Sequence, residues 1–233
     1  MAQDRQGDHD VVVSLTHDPS PRNRSPATAP KRRPAAETRH AIVEATAGLL
    51  CDRGAGGLTV HAIMERTGIA RTTFYRQFSD PYDVVEQLIG QLVAHMAEQG
   101  GAWLREPSAV GSPDQIRPNL IRAATAVRPS ARLLLALHHA TGIDERLRRM
   151  WREQLVQPRI DAVATAIRRD QAAGVIDATL DADATALALS LMNEQLLLEM
   201  VCRDGASPED YARVAGPIWE AALFGRPSQA IAP

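Results

Sequence analysis

The chain has 233 residues and a net charge of only −2, which is long enough for one large domain or for a small domain beside a larger one. No apolar run approaches the roughly 20 residues that cross a bilayer, and the short run at residues 11–15 is too acid-flanked for a signal peptide. We therefore expect a cytoplasmic protein that does not enter a membrane. Cys51 and Cys202 are the only cysteines, and we expect buried free thiols.

Basic charge is concentrated toward the N-terminus. Residues 20–80 hold ten basic and five acidic side chains, whereas residues 81–233 hold fifteen arginines and nineteen acids. Binding to nucleic-acid phosphates needs positive charge. The distribution therefore indicates residues 20–80 as the part of the chain that meets DNA.

Residues 1–35 are rich in Pro, Ser, Asp and Arg and carry almost no periodic apolar residues, so we expect a disordered tail. Lys31, Arg32 and Arg33 stand just before the first predicted helix. A flexible basic arm of this kind can bind phosphates or enter the minor groove. It can equally be a solvated linker, and the sequence leaves both interpretations open.

Residues 37–53 predict the first helix, because Ile42, Ala45, Leu49 and Leu50 form one apolar stripe. We expect this helix to pack across the two that follow. It would then hold them at a fixed angle.

Residues 58–78 predict two short helices joined by a tight turn. Thr59 is placed to cap the first helix with its hydroxyl, and Gly68 is placed to end it with a positive φ. Phe74 and Phe78, four residues apart, share the inner face of the second helix.

The outer face of that second helix carries Arg71, Thr72, Tyr75 and Arg76. Arginine can pair with guanine, threonine can reach base edges or thymine methyls, and tyrosine can bond a phosphate. This chemistry is typical of the recognition helix in a helix-turn-helix, which enters the major groove. The alternative is a small helical hairpin with a solvated charged face.

A long helix is predicted to follow, with Asp80 as its cap and Pro81 in its first turn, where a missing N–H has no cost. Its apolar residues continue to about Trp103. An element of this length would leave the DNA-binding part and enter the rest of the molecule. It is therefore a natural lever between the two.

The remainder of the chain predicts further helices and no strand, so the fold class is all-α. The predicted helices cover residues 114–127, 129–139, 144–173, 181–202 and 208–224. Pro118 must lie in the first turn of its helix or break it, and Pro158 should kink the long helix that contains it.

Residues 181–202 form the most apolar of these helices, with large side chains on more than one face. A helix that is apolar nearly all round must be buried nearly all round, and its own domain covers only one side. We therefore expect a homodimer, with Leu191, Leu198 and Leu223 in the interface.

The register from residue 38 to residue 88 resembles the TetR/AcrR family of bacterial transcriptional regulators. The matching pieces are TRHAIVEATAGLL, the link GAGG, LTVHAIMERTGIARTTFYRQF and a helix that begins near Pro81. The resemblance implies about nine helices, with a helix-turn-helix DNA-binding domain at 36–83, a ligand-binding and dimerisation domain at 84–226 and a tail at 227–233. The family often has a phosphate-binding lysine where this sequence has Pro81, so that contact is in question.

The resemblance also implies function. It implies a sequence-specific repressor that a small apolar or amphipathic ligand releases from DNA, without a cofactor or a bound metal. The DNA contacts would come from Arg71, Thr72, Thr73, Tyr75 and Arg76, with Arg39 and Thr59 on phosphates. A two-fold dimer would present two recognition helices, so the operator should be a pseudo-palindrome.

The blocks ALSLMNEQLLLE and GPIWEAALFG resemble the mycobacterial ethionamide-type repressor branch of that family. In that branch an Asn matching Asn193 lines a tunnel, with aromatic residues matching Trp151 and Trp219; Leu155 and Leu197 would complete the lining here. Other pocket aromatics of the branch are replaced, near Ala124, Arg128, Pro158 and Asp161. The ligand should therefore be smaller, differently shaped or more polar.

The same residues also allow simpler structural interpretations and other functions. Both tryptophans can be plain core residues, and Asn193 can simply tie two helices together. His138, His139, Asp144 and Glu145 could suggest a helical metal hydrolase, but adjacent histidines point about 100° apart on a helix. A third possibility, suggested by Pro81, is a ligand sensor that does not bind DNA.

Overall fold

The computed structural model describes residues 34–99 and 112–225. Every regular element in those two ranges is a helix, which confirms the all-α prediction. None of the described helices is long and apolar enough to cross a membrane. The predicted N-terminal tail with its arm at Lys31, Arg32 and Arg33, the extension of the long helix to Trp103 and the tail at 227–233 lie outside the described residues.

The N-terminal part holds four helices, α1 (Ala35–Arg53), α2 (Val60–Thr67), α3 (Arg71–Gln77) and α4 (Pro81–Gln99). Two more follow, α5 (Pro113–Val127) and α6 (Ala131–Thr141). Helix α7 spans 145–172 and contains a π-helical stretch at Arg152–Val156. Helix α8 spans 182–203 and ends in a π-helical stretch at Leu197–Arg203, and α9 is Pro208–Phe224.

Helices α1 to α3, which we call the head, follow the sequence closely. The hydroxyl of Thr59 accepts a hydrogen bond from the Ala62 N–H at 3.1 Å, which caps α2. Gly68 ends α2 with φ of 69°, a conformation that glycine adopts without strain. Ile42 of α1 and Phe74 of α3 are fully buried in the head. The predicted cap, turn and inner faces are therefore confirmed.

Helix α4 connects the head to the rest of the molecule. Asp80 accepts from the N–H groups of Tyr82 and Asp83 at 2.7 and 3.0 Å, and Pro81 is the first residue of the helix, as predicted. α4 packs against α1 on one side and against α5 and α7 on the other.

Polar contacts also join the head and the start of α4 to the helices behind them. Arg146, at the start of α7, forms an ion pair with Asp80 at 2.6 Å and lies over the ring of Tyr82. The Tyr82 hydroxyl donates to Asp144 at 2.6 Å, and this hydrogen bond lowers the pKa of the Asp144 carboxyl. At the end of α1, Asp52 joins Arg66 of α2 and Arg132 of α6, at 2.8 and 2.7 Å. We call these two groups of contacts the joint.

The prediction for Pro118 needs correction, and Pro158 lies beside an irregular stretch of its helix. Pro118 lies in the second turn of α5, and the helix continues through it. Pro158 follows the π-helical stretch of α7, which also continues. A π-helical turn takes in an extra residue, and such turns re-arrange backbone hydrogen bonds where a proline lacks its N–H.

We expect both cysteines to react slowly in the folded protein. Burial raises the pKa of Cys51, and it raises the pKa of Cys202 to about 11. Because the thiolate is the nucleophile, about one Cys202 thiol in a thousand is ionised at pH 8, and alkylation should speed up as the pH rises toward 11. Iodoacetamide labelling at pH 8 should be at least about tenfold slower for native than for guanidinium-unfolded protein. Equal rates in the two states would contradict this.

Candidate functional site

Helix α3 presents one apolar and one polar face. Phe74 is fully buried, α3 packs on α2, and Phe78 closes the same side. Arg71, Thr72, Tyr75 and Arg76 are exposed, and Thr73 is half-buried. Structure and sequence agree on this division.

Arg71 and Tyr75 contact one another on the exposed face. The Arg71 guanidinium donates to the Tyr75 hydroxyl at 3.3 Å and lies 5.4 Å from the ring centroid. The Tyr75 ring in turn meets Phe74 edge to face. These contacts limit the rotamers of two long side chains, and less conformational freedom is then lost when they bind a partner.

The two residues predicted to assist on phosphates have structural contacts of their own. Arg39 donates to the Gln77 carbonyl at 2.9 Å and stacks 4.2 Å from the Phe78 ring centroid. It therefore satisfies a carbonyl at the end of α3 and fixes that helix on α1. The Thr59 hydroxyl caps α2, as described above. Neither contact uses up the polar atoms of its side chain, because a guanidinium has five N–H donors and a hydroxyl can also donate.

A cavity of about 290 Å³ lies among α4, α5, α7, α8 and α9. Its walls are mainly apolar. Four of the five predicted ligand-binding residues line it, namely Leu155, Asn193, Leu197 and Trp219.

Trp151 is not part of the cavity wall, contrary to the prediction. Its ring lies edge-on to His138 of α6, and its indole N–H donates to Glu194 of α8 at 2.7 Å. Trp151 and Leu155 would share a face in a regular helix, but the π-helical stretch begins between them and changes the register. Leu155 therefore faces the cavity while Trp151 packs in the core.

Asn193 has the tying role that the sequence left open. Its side-chain oxygen accepts a hydrogen bond from the Tyr211 hydroxyl, which links α8 to α9. Burial raises the pKa of Tyr211, so the phenol stays protonated and can donate. Asn193 also lines the cavity, but its carbonyl group is already engaged.

Sequence reasoning missed three polar residues of the cavity wall, Gln154 and Arg159 of α7 and Ser190 of α8. Arg159 pairs with Glu194 at 3.0 Å and donates to the Ser190 carbonyl at 3.3 Å. A signal was available in the sequence. Arg159 stands midway between Leu155 and Val163 at four-residue spacing, so it interrupts an apolar stripe.

An apolar surface is exposed on α8 and α9, and it differs in part from the predicted interface. Leu191 is 46% exposed and belongs to this surface, whereas Leu198 and Leu223 are only 4% and 3% exposed and pack inside the subunit. We define the outer face by its large exposed residues, Leu187, Leu191, Val214 and Ile218.

Packing explains the first correction and register the second. Leu191 and Leu198 are seven residues apart and would share a face in a regular helix, but Leu198 belongs to the last part of α8, Leu197–Arg203, which α5 and α6 cover. Leu223 follows Trp219 by four residues and shares its buried face in α9.

The residues of the rival metal site do not come together. Asp144 accepts from the Leu147 N–H and caps α7, His138 packs on Trp151, and His139 lies beside Arg203. Among the described residues, no group of three or more His, Cys, Asp or Glu side chains could hold a metal ion.

Two family models match the chain. Residues 42–88 match the model of bacterial regulatory proteins of the tetR family, and residues 119–225 match the C-terminal domain of the transcriptional regulator EthR. Together they cover about two thirds of the chain. The chain belongs to the TetR family. Its C-terminal domain is of the EthR type, which is the branch that the sequence blocks had indicated.

Solved structures share the fold of this TetR-family protein. Salmonella enterica GusR is 17% identical, with 81% of this chain and 96% of that chain covered and a TM-score of 0.67. The fatty acid degradation regulator FadR from Bacillus halodurans is 15% identical, with 86% and 100% covered and a TM-score of 0.64. SmeT, the repressor of the Stenotrophomonas maltophilia multidrug efflux pump SmeDEF, is 15% identical, with 84% and 96% covered and a TM-score of 0.62. No curated protein sequence matches the chain.

Family and fold together identify the head as a helix-turn-helix and the protein as a DNA-binding transcriptional regulator. Residues 119–225, from within α5 to α9, correspond to the C-terminal, ligand-binding domain of such regulators.

Proposed function

We propose that this TetR-family protein is a cytoplasmic homodimeric repressor that leaves its operator when a small ligand fills the cavity. The observation that carries the proposal is the exposed polar face of α3, with Arg71 and Tyr75 held together on a helix whose other side is buried. A recognition helix needs this combination of a fixed backbone and accessible polar side chains.

The proposed DNA contacts fall into two groups, according to which part of the DNA each side chain can reach. Arg71, Thr72 and Thr73, at the N-terminal end of α3, read base edges, while Tyr75 and Arg76 bind phosphates or neighbouring bases. Thr59 and Arg39 add phosphate contacts from the ends of α2 and α3. We assign residues 36–83 to the DNA-binding domain and residues 84–226 to the ligand-binding domain.

The proposed dimer pairs the outer face of α8 and α9 with its copy across a two-fold axis. Exposed Ala184, Ala188, Pro217 and Ala221 surround the large apolar residues, so two such faces can approach closely. Two heads related by this axis would meet successive major grooves of a pseudo-palindromic operator.

The proposed release mechanism is a shift between two states. Helix α7 reaches the joint through Arg146 and forms the cavity wall through Leu155, so one element senses both sites. A ligand that binds one arrangement of these helices more tightly changes the distance between the two heads. Equal affinity for both arrangements would change nothing.

We expect Arg71→Ala to weaken operator binding by about 1–3 kcal/mol if Arg71 reads a base. The measurement is a salt-titrated binding assay on the DNA upstream of the protein's own gene, beside a scrambled duplex of the same composition. Arg168→Ala is the matched control, because Arg168 is an exposed arginine that pairs with Asp183 far from the head in sequence and fold. Equal affinities of wild type and Arg71→Ala would remove Arg71 from the interface.

The same assay tests the proposed function as a whole. Preferential binding to the upstream DNA with a steep salt dependence supports a sequence-specific regulator. Weak and equal binding to both duplexes, repeated across genomic fragments, would favour the sensor without DNA binding.

A further inference from the structure

Two donors in the cavity wall have no partner among the described residues. The Nε of Arg159 and the hydroxyl oxygen of Ser190 are both buried and make no hydrogen bond within residues 34–99 and 112–225. Both residues line the cavity, and the Arg159 guanidinium donates to the Ser190 backbone carbonyl, so the two residues belong to the same part of the cavity wall. A buried donor without an acceptor is costly, and a ligand that supplies the acceptor removes that cost.

The charge of Arg159 is already balanced. Glu194 receives the Arg159 guanidinium on one oxygen at 3.0 Å and the Trp151 indole N–H on the other at 2.7 Å. Both side chains of this pair are mostly buried. A ligand carboxylate would add an uncompensated negative charge beside Glu194, and charges in such surroundings are expensive.

We propose that the cavity binds a neutral carbonyl compound, such as an amide, ester or ketone, with its oxygen between Arg159 Nε and the Ser190 hydroxyl. A carbonyl oxygen has two lone pairs and can accept from both donors at once. The carbonyl end of the ligand therefore lies one helical turn from Asn193, whose own side-chain oxygen accepts from Tyr211.

The size of the cavity limits the rest of the ligand. At about 30 Å³ for each non-hydrogen atom, 290 Å³ holds on the order of ten such atoms. Leu155, Val163 and Leu197 give the remaining wall an apolar character. The ligand is thus a short aliphatic or small aromatic carbonyl compound. This inference rests on the proposed function for its biological meaning, but it concerns binding alone.

The test uses two probes of the same size and shape, heptanamide and sodium heptanoate, titrated calorimetrically into the full-length dimer at pH 7.5. The acid is ionised at this pH, so the probes differ in charge and not in chain length. We expect heptanamide to bind at about 1 mM or tighter and at least tenfold more tightly than heptanoate. Equal or tighter binding of heptanoate, or no binding of heptanamide at 10 mM, would overturn the inference.

Two variants test where the amide group of heptanamide binds. Ser190→Ala should weaken heptanamide binding about fivefold, and Arg159→Lys, which keeps the charge and loses the Nε–H, should weaken it at least as much. Thr165→Ala is the matched control, because it removes an exposed hydroxyl of α7 outside the cavity. Circular dichroism confirms that each variant folds. Unchanged affinity in folded Ser190→Ala and Arg159→Lys would overturn the proposed position.

A third variant tests the charge argument directly. Glu194→Gln keeps an acceptor for the Trp151 indole and removes the charge that balances Arg159. Heptanoate should then bind better than heptanamide, which reverses the wild-type preference. A merely structural role of Glu194 would lower both affinities together, and that result would contradict the inference.

Operator binding in the presence of heptanamide separates this inference from the proposed function. Binding of heptanamide with no change in operator affinity would support the cavity assignment and contradict ligand-driven release. Release of operator DNA by another small ligand, together with no binding of heptanamide at 10 mM, would support the function and overturn the assignment.

Discussion

Leu191→Arg is expected to turn the dimer into a folded monomer. Leu191 is 46% exposed in the single subunit, so arginine can be accommodated there without disturbing the core. In the proposed dimer Leu191 lies in the interface, so the same arginine would be buried there, at a cost of several kcal/mol for each charge. The dimer dissociation constant should therefore rise by more than about a hundredfold. Sedimentation velocity at micromolar concentration measures the change.

Two comparison variants control for the added charge and for loss of folding. Ile143→Arg places the same charge on another exposed apolar residue, outside the outer face, and should leave the dimer intact. Leu198→Arg puts the charge into the core and should lose helical signal, because Leu198 is buried within the subunit. A dimeric Leu191→Arg protein with unchanged concentration dependence would show that another surface forms the interface.

Glu194→Ala is expected to lower the free energy of unfolding by about 3 kcal/mol. It leaves the Arg159 guanidinium and the Trp151 indole N–H without their common acceptor in a mostly buried position. Urea unfolding at one fixed protomer concentration measures the loss, since dimerisation makes stability depend on concentration. The double variant Arg159→Met with Glu194→Leu should recover much of it, because an apolar pair often replaces a buried ion pair without loss.

Glu199→Ala is the matched control. Glu199 is a glutamate of the same helix whose ion pair with Arg203 is exposed, and such pairs contribute about 1 kcal/mol or less. If Glu194→Ala and Glu199→Ala lower stability equally, the buried pair does not have the importance that its position suggests.

The head could be predicted from the sequence because its signals are local. Thr59, Gly68, Asp80 and Pro81 each act within one turn of their own position, so their effect does not depend on distant residues. The two faces of α3 follow from a regular helical period. The roles of its exposed residues stay predictions, since no DNA is present to contact them.

The cavity and the outer face were predicted less well because their residues depend on register and partners. The π-helical stretch of α7 begins between Trp151 and Leu155, and packing of the end of α8 against α6 buries Leu198 while Leu191 stays exposed, although each pair has regular helical spacing. Periodicity assumes a constant rotation per residue, and one extra residue in a turn breaks it. Arg159 was missed for another reason, since its pairing with Glu194 joins two helices that are distant in sequence.

The joint between the head and the ligand-binding domain affects how the salt dependence of operator binding should be interpreted. Asp52, Arg132, Asp80 and Arg146 are partly exposed charges, so dissolved ions weaken their attraction. Added salt therefore has two effects. Its cations compete with the protein for the DNA phosphates, and its ions weaken the ion pairs that hold each head against the rest of its subunit. The slope of log affinity against log salt is then larger than the number of phosphates touched, and counting contacts from that slope would overestimate the footprint.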